Sequence, residues 1–190
     1  MSANQNGRVQ IDASRVISNS VRFFPIWDPL SNNLIEGLIH ICLDIVKLGP
    51  KLIGAEIGSL WGESAGIFLS FPEISLLHCV DRQIQEALRA RLNCYKSVGR
   101  CMYHQTSSAI AANTITGSLD FVYIDADHSY ESVADDIRCW YPKIRRGGML
   151  CGHDYIAVHS GVIKAVDEFA LNHDYEVKLY KDTSWSLIKK

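Results

Sequence analysis

The chain has 190 residues, a formal net charge of −2 and 47% hydrophobic residues. That length suits one domain with a full core. The charge balance, with neither a basic excess nor a long acidic run, excludes uniform polyanion binding as the default role, so no nucleic-acid partner is expected.

In chain order, Met1–Gly7 is polar and does not read as a signal peptide. Residues 8–30 are irregular, with Phe23, Phe24, Pro25, Trp27 and Pro29. They read as part of an N-terminal arm, residues 1–30, ahead of a single domain over 31–190; a lid and a segment packed on the domain both fit. Ser31 can cap a helix reaching about Leu48, with Leu34, Leu38, Ile41, Ile45 and Leu48 on one face. Gly49–Pro50 ends it. Glu36, His40, Asp44 and Lys47 interrupt this stretch too often for a bilayer span, so no membrane partner is expected. The helix can pack on the sheet or on a second subunit, which leaves a homo-oligomer open.

Strand and helix patterns then alternate. Leu52–Ile57 reads as a buried strand, Gly62–Phe71 as a helix and Ser75–Val80 as a strand. Gln83–Tyr95 follows as a helix through Ile84, Leu88 and Leu92, then Val98–Tyr103 as a strand and a short helix after Ser107. Phe121–Ile124 is a strand bounded by Asp120 and Asp125. Tyr130–Ile144 is amphipathic through Val133, Ile137, Trp140 and Ile144. Arg145 and Arg146 read as a solvated loop, and Gly147–Gly148 as a turn into the strand Met149–Gly152. A helix near Gly161–Leu171 precedes two closing strands, Tyr175–Leu179 and Ser184–Ile188. The expected fold is α/β: a Rossmann-like, doubly wound, mostly parallel seven-stranded sheet with a C-terminal antiparallel hairpin. Ligands then belong at the carboxyl ends of the parallel strands. The six cysteines form no CxxC pair, and Cys79, Cys101 and Cys151 fall inside strands. They read as small hydrophobes of a reduced, cytoplasmic protein rather than as metal ligands.

The first strand runs into Glu56-Ile57-Gly58-Ser59-Leu60-Trp61-Gly62-Glu63-Ser64. A glycine at the strand end lets the chain turn and lets a ligand approach closely. A dinucleotide site would want GxGxxG facing a diphosphate. Here only Gly58 and Gly62 stand in the loop, and an acid precedes them. That pattern suits a ligand carrying an ammonium and a sulfonium, such as S-adenosylmethionine (SAM). Asp81, at the end of the second strand, can accept hydrogen bonds from both ribose hydroxyls; as a helix cap it would have a second use.

Two further strand ends carry chemistry. The fourth delivers Asp125-Ala126-Asp127-His128-Ser129-Tyr130 and the fifth Gly152-His153-Asp154-Tyr155. Asp127 or Ser129 can cap the next helix. Asp125 and Asp154, with His153, can hold a hard divalent ion such as Mg2+. A hydroxyl bound to such an ion becomes more acidic, and His128 can remove its proton. The remaining histidines, His78, His104, His159 and His173, are given no role.

The stretch Glu56-x-Gly58-x-x-x-Gly62-x-Ser64 resembles the first SAM-binding motif of class I SAM-dependent methyltransferases, and the resemblance runs over about Leu52–Lys190. It implies that Gly58, Ser59 and Gly62 contact the methionine part of the cofactor and that Asp81 holds the ribose. It also implies that Ser107, Ser108 or Ala109 flanks the adenine. The IDxDHxY and GHDY segments are similar to those of metal-dependent sugar O-methyltransferases and of cephalosporin hydroxylase-like proteins. Asp125, His128 and Asp154 match that subgroup's metal and base positions. Where metal-dependent relatives commonly carry an acid pair on the fifth strand, His153–Asp154 stands here. The resemblance implies O-methylation of a small-molecule, sugar-like or natural-product hydroxyl. The rival readings are a nucleotide-dependent oxidoreductase, a SAM-binding module without turnover, and a metal-dependent hydrolase.

Overall fold

The computed structural model describes residues 32–190, so the N-terminal arm and the Ser31 cap lie outside it. Helix α1 (Asn32–Ile45) continues into a 3-10 turn, Val46–Leu48. Next come β1 (Leu52–Ile57), α2 (Glu63–Ser70), β2 (Ile74–Asp81), α3 (Glu86–Ser97), β3 (Cys101–Gln105), α4 (Ser108–Thr114) and β4 (Leu119–Ile124). After them follow α5 (Tyr130–Trp140), β5 (Ile144–Gly152), α6 (Ser160–Asn172), β6 (Lys178–Leu179) and β7 (Trp185–Ile188). The seven strands form one sheet in the order β3-β2-β1-β4-β5-β7-β6. Strands β1 to β5 pair in parallel, whereas β7 pairs antiparallel with both β5 and β6.

Both sheet faces are covered, which is why the central strands are nearly continuous apolar runs. On one face Leu38, Ile41 and Ile45 of α1, Phe68 of α2, and Leu88 and Leu92 of α3 join one buried cluster. On the other face Ala111 of α4, Val133, Ile137 and Trp140 of α5, and Val162 and Val166 of α6 join a second. Strand residues alternate between them: Ala55 and Ile57 belong to the second cluster, so Glu56 points into the first layer.

Several boundaries differ from the sequence expectation: β5 starts at Ile144 rather than Met149, so Gly147–Gly148 lie within the strand instead of forming the turn before it, and the helix expected from Gln83 starts at Glu86. The helix expected over Tyr130–Ile144 ends at Trp140 and passes through a 3-10 turn, Tyr141–Lys143. Pro142 has no amide hydrogen to continue an α-helix, and Ile144 already opens β5. Arg145 therefore lies in a strand rather than a loop, and its Nε donates to Asp120 Oδ1 at 2.6 Å. The other Asp120 oxygen accepts the Ile53 amide at 2.7 Å, which ties β1 to β4. Val98, expected to begin a strand, instead caps α3. The strand expected over Tyr175–Leu179 shrinks to Lys178–Leu179. Among the described residues, all six cysteines are free, and no helix is long and apolar enough to cross a membrane.

Candidate active site

The carboxyl ends of β1, β2 and β4 meet the start of α4 and one side of α5 around a cavity of about 430 Å3. That volume suits a nucleoside-sized ligand. Gly58 turns the chain at the end of β1 with φ 89°, a conformation that disfavours side chains. A Cβ there would lie 2.1 Å from the Asp125 carbonyl oxygen, so the glycine also lets the β1 and β4 loops touch. A hydrogen bond from Asp125 N to Ile57 O (2.8 Å) fixes that contact, and one from Gly58 N to Val80 O (2.9 Å) ties the loop to β2.

Asp81 closes the β1 loop from β2. Its Oδ2 accepts the Leu60 amide and its Oδ1 accepts the Gln83 amide, both at 2.9 Å. Each oxygen keeps a further lone pair for a ligand. Gly58, Asp81, Ser108 and Asp125, four of the residues expected to bind cofactor, line the cavity. Ser107 and Ala109 line it too. The Ser108 hydroxyl donates to Asp136 and accepts from Trp140 Nε1 at 2.8 Å, so α5 holds it in place.

The other four expected cofactor residues, Glu56, Ser59, Gly62 and Ser64, are not among the residues that line this cavity. Glu56 is fully buried and accepts a hydrogen bond from the Ser64 hydroxyl at 2.5 Å. Among the described residues, neither its Oε2 nor the Ser59 hydroxyl has a hydrogen-bond partner, and both are buried. Burial pushes the Glu56 carboxyl up to about 7, against the pull of the Ser64 hydrogen bond. Gly62, with φ 76°, opens α2 and packs toward Leu88.

Sequence reasoning did not place the acids that α5 contributes. Asp135 and Asp136 line the cavity, with Arg82, Thr106, Asp127 and Ser132. Asp136 carries the available signal, a charge on the buried stripe of Val133, Ile137 and Trp140. In all, five aspartates and one arginine face this space: Asp81, Asp125, Asp127, Asp135, Asp136 and Arg82. Such a lining repels a diphosphate and attracts a cation, which favours a sulfonium ligand over a dinucleotide.

Beside the cavity, the β4 and β5 loops bring together a second set of side chains. Asp125, His153 and Asp154 offer ligand atoms within 4.8 Å of one another, as do His128, Asp154 and His159. Asp154 is central: its Oδ2 lies 2.9 Å from His128 Nε2 and its Oδ1 lies 3.2 Å from His153 Nδ1. It sits at φ 59°, a conformation unusual for a side-chain-bearing residue. Thr183, at φ 76°, sits next to it in the fold and places its hydroxyl 3.3 Å from His153 Nε2. Strained backbone on both sides of His153 is typical of a functional centre.

Burial raises Asp125 to about 6, with His153 opposing and Asp154 adding to the rise. For Asp154, burial works upward, but hydrogen bonding and charge from His153, with the charges of His128 and His159, hold the carboxyl below its ordinary value. Burial works downward on His153, and the hydrogen bond to Asp154 with the charges of Asp125, Asp154 and Asp182 outweighs it, so the imidazole is raised. A crowded set of two carboxylates and an imidazole is suited to a divalent cation, which would relieve the burial of Asp125.

Of the two capping candidates, Ser129 is the N-cap of α5 and accepts the Ser132 amide at 3.4 Å. Asp127 accepts the Ser129 amide at 2.8 Å. Among the histidines left without a role, His78 and His104 pair with each other at 2.9 Å across β2 and β3, and His173 stacks on Phe169. His159 does join the site: its ring lies 4.2 Å from that of His128, and its Nε2 lies 3.9 Å from Asp154 Oδ1. The cause is Gly161. A Cβ on it would lie 2.5 Å from the His128 carbonyl oxygen and from the Tyr130 amide nitrogen, so only glycine lets α6 start this close to the β4 loop. A separate apolar groove of about 360 Å3 runs between α5 and α6, past Ile137, Tyr141 and Phe169. Among the described residues no strand residue lines it, and it shares no lining residue with the acid-walled cavity.

The model of a family described as a methyltransferase domain matches residues 55–155, more than half of the chain. The matched stretch contains every candidate residue above except His159. Solved structures share the fold at low identity. A candidate caffeoyl-CoA O-methyltransferase from Staphylococcus aureus is 18% identical, with a TM-score of 0.67 over 98% of this chain and 95% of that one. An SAH-bound methyltransferase from Podospora anserina is 15% identical, with a TM-score of 0.65 over 98% and 91%. A candidate O-methyltransferase from Klebsiella pneumoniae is 16% identical, with a TM-score of 0.64 over 96% and 92%. No curated protein matches the chain.

Proposed function

The chain belongs to the methyltransferase domain family whose model spans residues 55–155, and on that premise we propose that it transfers the methyl group of SAM to a hydroxyl of a small, sugar-like or other natural-product molecule, assisted by a divalent metal such as Mg2+. The observation that carries this reading is the double position of Asp125. It lines the acid-walled cavity and also belongs to the Asp125–His153–Asp154 group. One side chain thus joins the place for a cationic cofactor to the place for a metal and acceptor. The SAH-bound Podospora structure and the candidate O-methyltransferases of the same fold support the cofactor and the reaction class.

When bound, the sulfonium cofactor supplies a methyl group activated for attack. When bound, a divalent ion supplies positive charge that makes a nearby hydroxyl more acidic. The chain's own residues do the rest. Gly58 and the loop after it shape one end of the cavity, Asp81 accepts the ribose hydroxyls, and Ser107–Ala109 border the base. The aspartates favour a positively charged ligand over its neutral product, so SAM should bind more tightly than SAH. Asp125, His153 and Asp154 hold the ion. A neutral His128 with its proton on Nε2 donates to Asp154, which leaves Nδ1 to take the acceptor's proton. Asp154 fixes the orientation of that ring much as a carboxylate orients a catalytic imidazole elsewhere. Most of the acceleration then comes from positioning and electrostatics.

The test is SAH release from SAM with a panel of sugar and phenolic acceptors, with Mg2+ or with EDTA. The expected result is turnover that EDTA suppresses and Mg2+ restores, and that His128→Ala lowers about a hundredfold or more. Turnover indifferent to both EDTA and His128→Ala would overturn the metal-and-base part of the proposal.

A further inference from the structure

The triad His128, Asp154 and His159 differs in chemistry from the group proposed to hold Mg2+. It offers two imidazoles and one carboxylate, all partly exposed and with ligand atoms within 4.8 Å. Two imidazoles with one carboxylate suit a borderline transition ion such as Zn2+ or Co2+, whereas Mg2+ prefers oxygen donors. Two observations indicate that the grouping is built. Gly161 brings the start of α6 against the His128–Tyr130 backbone, which sets the His159 ring 4.2 Å from that of His128. Asp154, at φ 59°, holds its carboxylate between the two imidazoles, 2.9 Å from one Nε2 and 3.9 Å from the other. Metal–nitrogen and metal–oxygen bonds of about 2 Å put neighbouring ligand atoms roughly 3 to 3.5 Å apart, within reach of small side-chain rotations.

We infer that His128, Asp154 and His159 form a second metal site, selective for zinc-class ions, and that its occupation switches the enzyme off. An ion there takes His128 Nε2 and an Asp154 oxygen together. His128 loses the hydrogen bond that orients it, and Asp154 is drawn from the Mg2+ group. The inhibitory consequence rests on the reading of His128 as the base; the binding of the ion does not.

Co2+ titration of the metal-free full-length protein reads the site directly through visible absorption, and calorimetric SAM titration of the same samples reports on the cofactor site. The expected result is one Co2+ bound by the wild type with nitrogen- and oxygen-type bands, displaced by Zn2+. In His159→Ala and His159→Gln, Co2+ affinity should fall about tenfold or more while SAM affinity stays unchanged. Asp125→Asn should keep the Co2+ bands. Once an acceptor is known, Zn2+ should inhibit the wild type and spare His159→Gln. Co2+ binding that survives both His159 substitutions would overturn the inference. So would its loss in Asp125→Asn, which would put the ion in the Asp125–His153–Asp154 group, or thiolate charge-transfer absorption, which would put it on cysteine. Loss of SAM binding in the wild type would defeat the methyltransferase reading and leave the metal site standing.

Discussion

Replacing Glu56 with glutamine keeps the shape of a fully buried side chain and removes its titration. In the folded protein burial lifts the Glu56 carboxyl to about 7 from an ordinary 4.5. The folded state therefore keeps this proton to higher pH than the unfolded chain does. Below pH 4.5 both states hold it, and Glu56 contributes no pH dependence. Between pH 4.5 and about 7 the unfolded chain releases it first, so stability falls as pH rises, and above about 7 the loss is complete. At about 1.4 kcal/mol per pH unit, the full loss is about 3 kcal/mol. Glutamine can still pair with the Ser64 hydroxyl and escapes this loss. Urea unfolding of wild type and Glu56→Gln at a series of pH values from 4.5 to 8 reads the difference directly. The stability of the variant relative to wild type should grow by about 3 kcal/mol across that range. A difference that stays constant with pH would refute the reasoning and show that Glu56 titrates in the folded protein as it does in the unfolded chain.

Asp81→Ala removes the acceptor for the Leu60 and Gln83 amides along with the proposed ribose contact. SAM affinity measured by calorimetry should fall about tenfold or more, and an unchanged affinity would mean that the cofactor lies elsewhere. His128→Ala should leave SAM affinity within about twofold while turnover drops, as the proposed role of His128 on the acceptor requires. Arg100 donates to the carbonyls of Leu69, Phe71 and Ile74 at 2.9, 2.9 and 2.7 Å, joining β3 to the turn before β2. Arg100→Ala leaves those carbonyls short of donors and should cost about 2–4 kcal/mol in urea unfolding; a change under 1 kcal/mol would show that water replaces the guanidinium. Gly161→Ala drives a Cβ into backbone at 2.5 Å and should cost about 1–3 kcal/mol, read as a lowered thermal midpoint; an unchanged midpoint would show that α6 shifts freely.

The layout of the sheet was legible because buried parallel strands are short apolar runs between turns. Leu52–Ile57 matches β1, and the paired closing strands forecast the antiparallel end of the sheet. Asp81 and Asp125 were legible as acids at strand ends, where an α/β sheet puts its ligands. The burial of Glu56 could not be read from its position next to the loop. It alternates with Ala55 and Ile57 along β1, so its side chain enters the α1–α3 layer, and only the packing there shows that it is fully buried. Asp136 shows in the sequence only as a charge in the helical period of Val133, Ile137 and Trp140, and the cavity beside that stripe appears only in the fold. His159 could not be placed because its neighbour is remote in sequence, and what joins them is Gly161, whose importance appears only once α6 lies on the β4 loop. The end of α5 was missed although Pro142 signals it, because Ile144 continues the apolar period past the break.

The central claim is that the acid-lined cavity at the strand ends takes a sulfonium cofactor, and calorimetric titration of the metal-free protein with SAM and, separately, with NAD tests it most directly. The account predicts saturable binding of SAM at one site, lost in Asp81→Ala, and no binding of NAD, whose diphosphate meets five aspartates. Binding of NAD without SAM by folded protein would contradict the account and return the chain to the dinucleotide reading.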